Sequence, residues 1–252
     1  MDETGQAVTC DRILGGRATI LQPAKGYRAG LDAALLAAAC DAAPGERVLE
    51  AGCGVGAVLL AAALRRPGAR FVGLERDPEA LDLARRNIAA NGLAERITAW
   101  LGDVGEAEAG EALEGFDAAL ANPPFFDDPA ALRGPHPAKR AAWMADAGLA
   151  GWVAFLLGAV REGGSITLIH RAERLADVLA ALGPKAGAVR VRPIHPFADE
   201  PAKRILVRAV KASRAPLQIL PPLALHERGG PKHSPEAEAI LRGEAGLAWT
   251  SA

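Results

Sequence analysis

Between Arg47 and Leu182 apolar positions follow two alternating rhythms. Short apolar runs close on glycine, aspartate or proline, as buried strands do, and longer stretches carry aliphatic residues at helical spacing. Arg47–Ala51 predicts a strand that ends in glycines, and Val55–Arg66 an Ala/Leu helix stopped by Pro67 and Gly68. Arg70–Leu74 predicts a second strand. Pro78–Asn91 reads as a helix, with Asp77 as N-cap, Pro78 in its first position and Asn91-Gly92 as its stop. Ile97–Leu101 and Phe116–Ala121 are the third and fourth strands. Leu149–Arg161 predicts a helix closed by Gly163-Gly164, Ser165–His170 a fifth strand, and Arg171–Leu182 another helix. Val189–Ile194 and Arg204–Val210 read as a final strand pair. Strands alternating with crossover helices predict an α/β fold, a doubly wound sheet with helices on both faces.

Two flanks complete a chain expected to form one domain over residues 1–252. Residues 11–43 hold a glycine-rich turn and an Ala/Leu helix beginning near Asp32, for which Asp32 is an expected N-cap. The core occupies 44–214. The extension 215–252 is apolar and broken by prolines, then ends in a short helix with Ser234 as N-cap and Pro235 in first position. Half of the residues are apolar and 4% aromatic, enough for one sizeable core. No apolar run approaches the ~20 residues of a membrane span. The acidic, polar start from Met1 to Cys10 is unlike a secretory signal, and three cysteines without CxxC spacing suit a reducing compartment, so a cytoplasmic location is expected. The five histidines lack metal-ligand spacing, and no metal is assigned.

The net charge of −1 hides a division. Residues 1–169 carry 22 acidic against 16 basic side chains, and 170–252 carry 8 against 13. Within the second part a basic ribbon contains Lys185, Arg190, Arg192, Lys203, Arg204, Arg208, Lys211 and Arg214. Arg190 and Arg192 alternate with Val189 and Val191, as on the solvated face of a strand. The neighbouring Lys203, Arg204, Arg208 and Lys211 favour contact with a polyanion, and RNA is the expected partner.

The first chemical signal is Glu50-Ala51-Gly52-Cys53-Gly54-Val55-Gly56-Ala57. A strand running into spaced glycines and then a helix lets a nucleotide approach the backbone. Gly52, Gly54 and Ala57 also satisfy a dinucleotide pattern, with Glu75 placed 23 residues after Gly52 to bind a ribose. NAD must therefore be weighed against S-adenosylmethionine. Glu50 suits a cationic sulfonium ligand and repels a pyrophosphate. Asp103 follows the third strand, where it can accept from an adenine amino group. The fourth strand then ends in Asn122-Pro123-Pro124-Phe125, which hydride transfer does not require.

An exocyclic amine is a poor nucleophile, because its lone pair is delocalised into the ring. The Asn122 side-chain carbonyl and the Pro123 main-chain carbonyl can accept its hydrogens and hold it toward tetrahedral geometry. The two prolines fix the loop beforehand, and Phe125 offers a flat face to a flipped-out base. A rigid surface turn is the competing reading.

Together these segments resemble the class I methyltransferases of the small-domain (MTS) group, and more narrowly the tRNA adenine-N6 methyltransferases that modify anticodon loops. The likeness rests on VLEAGCGVGAVLLA, VGLERDP, GDV and ANPPFF, on the opening segment Gln22–Ala37 and on Pro221–Gly246. The resemblance implies a Rossmann-like sheet of seven strands, mostly parallel with the last antiparallel. It implies that Gly52, Gly54 and Gly56 cradle S-adenosylmethionine and that Glu75 binds its ribose. It further implies that Asp103 reads its adenine, that Asn122 and Phe125 hold the target base, and that Arg28 and Asp32 cover the methionine end. Phe125 stands where a tyrosine is common. The loop after it, with Phe126, Arg133, Lys139 and Arg140, is expected to be a substrate lid.

The favoured substrate is the N6 amine of an adenine in tRNA. Alternatives are a base in rRNA and a glutamine amide in a protein. Enzymes of the last type carry a helical domain before the core, for which some 45 residues are too few.

Overall fold

The computed structural model describes residues 7–25, 28–105, 114–124 and 148–250. The chain opens with a hairpin, β1 (Val8–Ile13) against β2 (Ala18–Pro23), followed by α1 (Leu31–Ala39). The core alternates as expected: β3 (Arg47–Ala51), α2 (Ala57–Arg65), β4 (Arg70–Glu75), α3 (Pro78–Ala90), β5 (Ile97–Leu101) and β6 (Phe116–Ala121). There follow α4 (Leu149–Ala159), β7 (Val160–Arg171), α5 (Leu175–Leu182), β8 (Ala186–Phe197) and β9 (Arg204–Lys211). The end of the chain adds β10 (Gln218–Ile219), β11 (Leu223–His226) and α6 (Pro235–Arg242).

The main sheet runs β10-β8-β9-β7-β6-β3-β4-β5, with β11 also on β8. All pairings are parallel except those of β9 with β7 and β8, so β9 is the antiparallel strand the resemblance implies. The sheet has nine strands where seven were expected. Proline-broken segments after Lys211 add β10 and β11, each too short to show period-2 alternation.

Side chains on β3 alternate between two cores. Val48 joins α1, α2 and the C-terminal residues Ile240, Leu247 and Trp249, whereas Leu49 joins Leu156, Val178 and Ile166 on the other face. Two boundary expectations need correction. Asp32 is not the cap of α1, because Gly30 holds that position and Asp32 lies in the first turn, paired with Arg204 at 3.0 Å. Gly163-Gly164 do not stop a helix: α4 ends at Ala159, and the glycines sit inside β7, where its register against β6 shifts. Gly163 takes φ +73°, a value costly for other residues at this bulge. The caps at Asp77 and Ser234 are as expected, their side chains accepting from the main-chain N–H of Glu79 and Ala237.

The basic ribbon is largely turned inward. Arg192 is 9% exposed and donates to the main-chain carbonyls of Pro221 and Ala248. Arg190 donates to the carbonyl of Trp249, Lys211 to that of Val160, and Arg208 pairs with Asp41. The expectation that Arg190 and Arg192 face RNA is corrected by these bonds. The irregular C-terminal segment has carbonyls that no ladder satisfies, and guanidinium forks supply the donors. Lys203 remains exposed.

Candidate active site

Parallel pairing brings the sequence-predicted residues to one edge. Ala51 lies opposite Leu74 of β4 and Ala121 of β6, and Glu75 lies opposite Leu101 of β5. The residues that follow these strand ends therefore stand side by side at the carboxyl edge: Asn122 beside Gly52, then Glu75, then Asp103. The chain order reverses at β3, the place where open α/β sheets bind ligands.

The glycine loop is held by named bonds. Gly52, Gly54 and Gly56 have φ of +68°, +54° and +85°. A Cβ on Gly52 would lie 2.7 Å from the ring of Trp152, whereas one on Gly54 would meet nothing within 4 Å. The main-chain N–H of Cys53 donates to Leu74 O at 3.0 Å, and that of Gly54 to Glu75 Oε2 at 2.8 Å. Glu75 Oε1 accepts from the N–H of Asp77, also at 2.8 Å. Burial raises the Glu75 carboxyl above its usual range, and the charge of Asp77 adds to the effect. Glu50 is 3% exposed, and its Oε2 has no hydrogen-bond partner among the described residues. Burial pushes its carboxyl well above the usual value, the Leu59 main-chain N–H opposes this, and the charge of Glu75 reinforces it.

These features fit the cofactor expected from the sequence. Gly54 lies against open space where a ligand can approach the backbone, and the Glu75 carboxylate, with about four lone-pair sites, can still accept beside its main-chain bonds. Glu50 presents a buried acceptor suited to a cation. Asp103 accepts from Arg76 at 3.3 Å and from the Gly105 N–H at 2.9 Å, so its carboxylate is held in place beside the β4 end.

Other candidates stand further out. Arg28 donates to Asp11, Thr9 Oγ1 and Pro23 O, each within 2.9 Å, which fastens the segment before α1 to the β1–β2 hairpin. Phe125, Phe126, Arg133, Lys139 and Arg140 lie outside the described residues. His170, at the end of β7, is lowered to about 4 by burial and by the Arg171 and Arg204 charges, so it stays neutral near pH 7.

Two contributors escaped sequence reading. Trp152 on α4 walls Gly52, but in an apolar helix it carries no pattern of its own. Asn87, 1% exposed on α3, donates to Val55 O and Leu21 O, both at 2.9 Å, and accepts from the Leu21 N–H at 2.7 Å. It thereby ties the glycine loop to the hairpin. A polar residue on the buried face of a helix was the available signal.

Residues 28–133 match the methyltransferase small domain family. A release factor glutamine methyltransferase of Chlorobaculum tepidum is 38% identical over 95 residues, covering 37% of this chain and 32% of the relative. A tRNA1(Val) (adenine(37)-N6)-methyltransferase of Porphyromonas gingivalis is 41% identical over 106 residues, 39% of this chain and 41% of the relative. The chain thus spans well under half the length of these curated relatives. Among solved structures, one described as a predicted O-methyltransferase, protein Atu636 from Agrobacterium tumefaciens, superposes with a TM-score of 0.72. It is 28% identical, over 86% of this chain and 98% of that one.

Proposed function

We propose that this chain, whose residues 28–133 belong to the methyltransferase small-domain family, is an S-adenosylmethionine-dependent N-methyltransferase acting on the N6 amine of an adenine in tRNA. The observation that carries the reading is the position of Asn122-Pro123 beside the glycine loop, at the switch point of the sheet. When bound, the cofactor supplies an electrophilic methyl group. Gly54, in the turn that Gly52 and Gly56 shape, would leave room for it, Glu50 would face its positive charge, Glu75 would accept from the ribose hydroxyls and Asp103 from the adenine amine. The Asn122 and Pro123 carbonyls accept the two hydrogens of the target amine and turn its lone pair out of conjugation. A methyl group received by this nitrogen would come with cleavage of the sulfonium carbon–sulfur bond, the electron pair leaving with the thioether, and the nitrogen would then release one proton to water, so no base of pKa near 7 is required.

The tRNA-modifying relative from Porphyromonas gingivalis supports the RNA substrate, and with it a cytoplasmic location. No helix among the described residues is long and apolar enough to cross a membrane, and none of their side chains cluster as a metal site. A second reading, a glutamine amide in a protein, has the support of the Chlorobaculum tepidum relative. Both acceptors present an NH2 group to the same pair of carbonyls. Incubation with labelled cofactor and separate RNA and protein fractions tests the proposal. N6-methyladenosine in digested tRNA is expected, and label confined to protein glutamine or to an oxygen would overturn it.

A further inference from the structure

We propose that Phe197, His226 and His233, with the Arg228 guanidinium, form a stacking platform for unpaired bases that flank the target adenine. This rests on the RNA reading above. Because β9 is antiparallel to both β7 and β8, β8 runs parallel to β6, and β11 runs parallel to β8. Their last residues, Phe197 and His226, are register partners and come out at the same carboxyl edge as Asn122. Only β7 and β9 separate β6 from β8. At ~4.8 Å per strand and ~3.3 Å per residue, Phe197 stands three strands across from Asn122 and five residues further along, roughly 20 Å from the catalytic loop and a few nucleotides away along an extended strand.

The rings form a ladder. Phe197 and His226 have centroids 5.4 Å apart at 48°, and His226 and His233 lie stacked at 5.3 Å and 23°. The Arg228 guanidinium covers the Phe197 ring at 4.6 Å. His226 Nδ1–H donates to the Lys232 carbonyl, which fixes that ring at the edge. The three rings are half-buried, while Arg228 and Lys232 are exposed. The ladder is therefore open at its Arg228 end, and flat guanidinium and ring faces are what unstacked bases bind. Asp199 and Glu200 hold the Arg228 fork at 3.1–3.2 Å and offset its charge. The platform thus holds bases by stacking rather than by attracting phosphates. That separates it from an electrostatic groove, whose grip falls steeply with salt.

The test uses the RNA found methylated in the labelling assay, with an abasic nucleotide placed at each position near the target in turn. In the unaltered protein one or two positions should lose about 5- to 100-fold in affinity. In an Arg228→Ala, His233→Ala double variant the intact RNA should bind that much more weakly, and the abasic penalty should vanish. The salt dependence should stay as it was, and His233→Phe with Arg228 intact should bind as the unaltered protein does. Cofactor titration and thermal melting of each variant separate this from misfolding. Equal abasic penalties in variant and unaltered protein, or undiminished affinity in the double variant, would overturn the platform while leaving the RNA reading intact. If no RNA accepts label, and a protein does, the RNA reading fails first and the platform with it.

Discussion

Glu50→Gln should stabilise the cofactor-free protein and cripple cofactor binding. The carboxyl is buried with Oε2 unpartnered among the described residues, and its folded value is raised. A carboxyl raised in the folded state contributes its full stability below the ordinary value of 4.5 and loses it as pH rises through the raised value. The cofactor-free protein should therefore lose stability across that window, and the Gln variant should not. A buried acceptor without a partner costs about 1–3 kcal/mol, and more when it is charged. At about 2–4 °C per kcal/mol for a chain of this size, the variant should melt several degrees above the unaltered protein at pH 8. The difference should shrink toward zero near pH 4.5. Cofactor reverses the sign, because the ionised carboxylate gains a cationic partner. Losing that charge-assisted contact costs about 1.5–3 kcal/mol, roughly 10- to 150-fold in Kd. Calorimetry in buffers of different ionisation enthalpy should also detect a proton released on binding. A variant that binds S-adenosylmethionine as tightly as the unaltered protein, or a melting difference flat with pH, would refute the reasoning.

Asn122→Ala should lower kcat by on the order of 10²–10³, the usual loss of one preorganised polar contact, with cofactor affinity little changed. Single-turnover kinetics beside cofactor titration measure both. Glu75→Ala should weaken S-adenosylmethionine binding by roughly 1.5–3 kcal/mol in calorimetry, and it also frees the Gly54 N–H that shapes the loop. Asn87→Leu leaves three main-chain groups unpaired, so melting should show a loss of about 2–4 kcal/mol and cofactor affinity should fall as well. Arg192→Ala should cost stability on the same scale without altering the salt dependence of RNA binding; a shallower salt slope would restore Arg192 to the RNA surface.

The core could be read from sequence because its signals are local. β3, β5 and β6 start and end where their apolar runs do, and Asp77-Pro78 marks a helix start by side chain and ring alone. What stayed hidden depends on distant partners. Arg190 and Arg192 alternate with valines as a wet strand face would, yet residues 221–249 fold over that face and consume them. The N-terminal hairpin was missed because its pattern is weak, and its position is fixed from outside by Asn87 and Asn91 on α3. At the site, the glycines, Glu50, Glu75, Asp103 and Asn122 announce themselves by type and spacing. Trp152 and Asn87 matter only through what lies across from them, and no spacing rule encodes that.

The clasp at the end of the chain bears on synthesis. The Leu247 N–H donates to Ala38 O, the Trp249 indole to Ala39 O, and Arg65 of α2 to Ala245 O. These bonds join residues about two hundred positions apart. A chain emerging from the ribosome can pair β3 to β6 early, but α1 and α2 keep one flank open to water until residues 245–249 have been made. The half that carries the glycine loop is therefore made well before the segment that completes its packing, and its apolar flank is exposed to wrong partners for that interval.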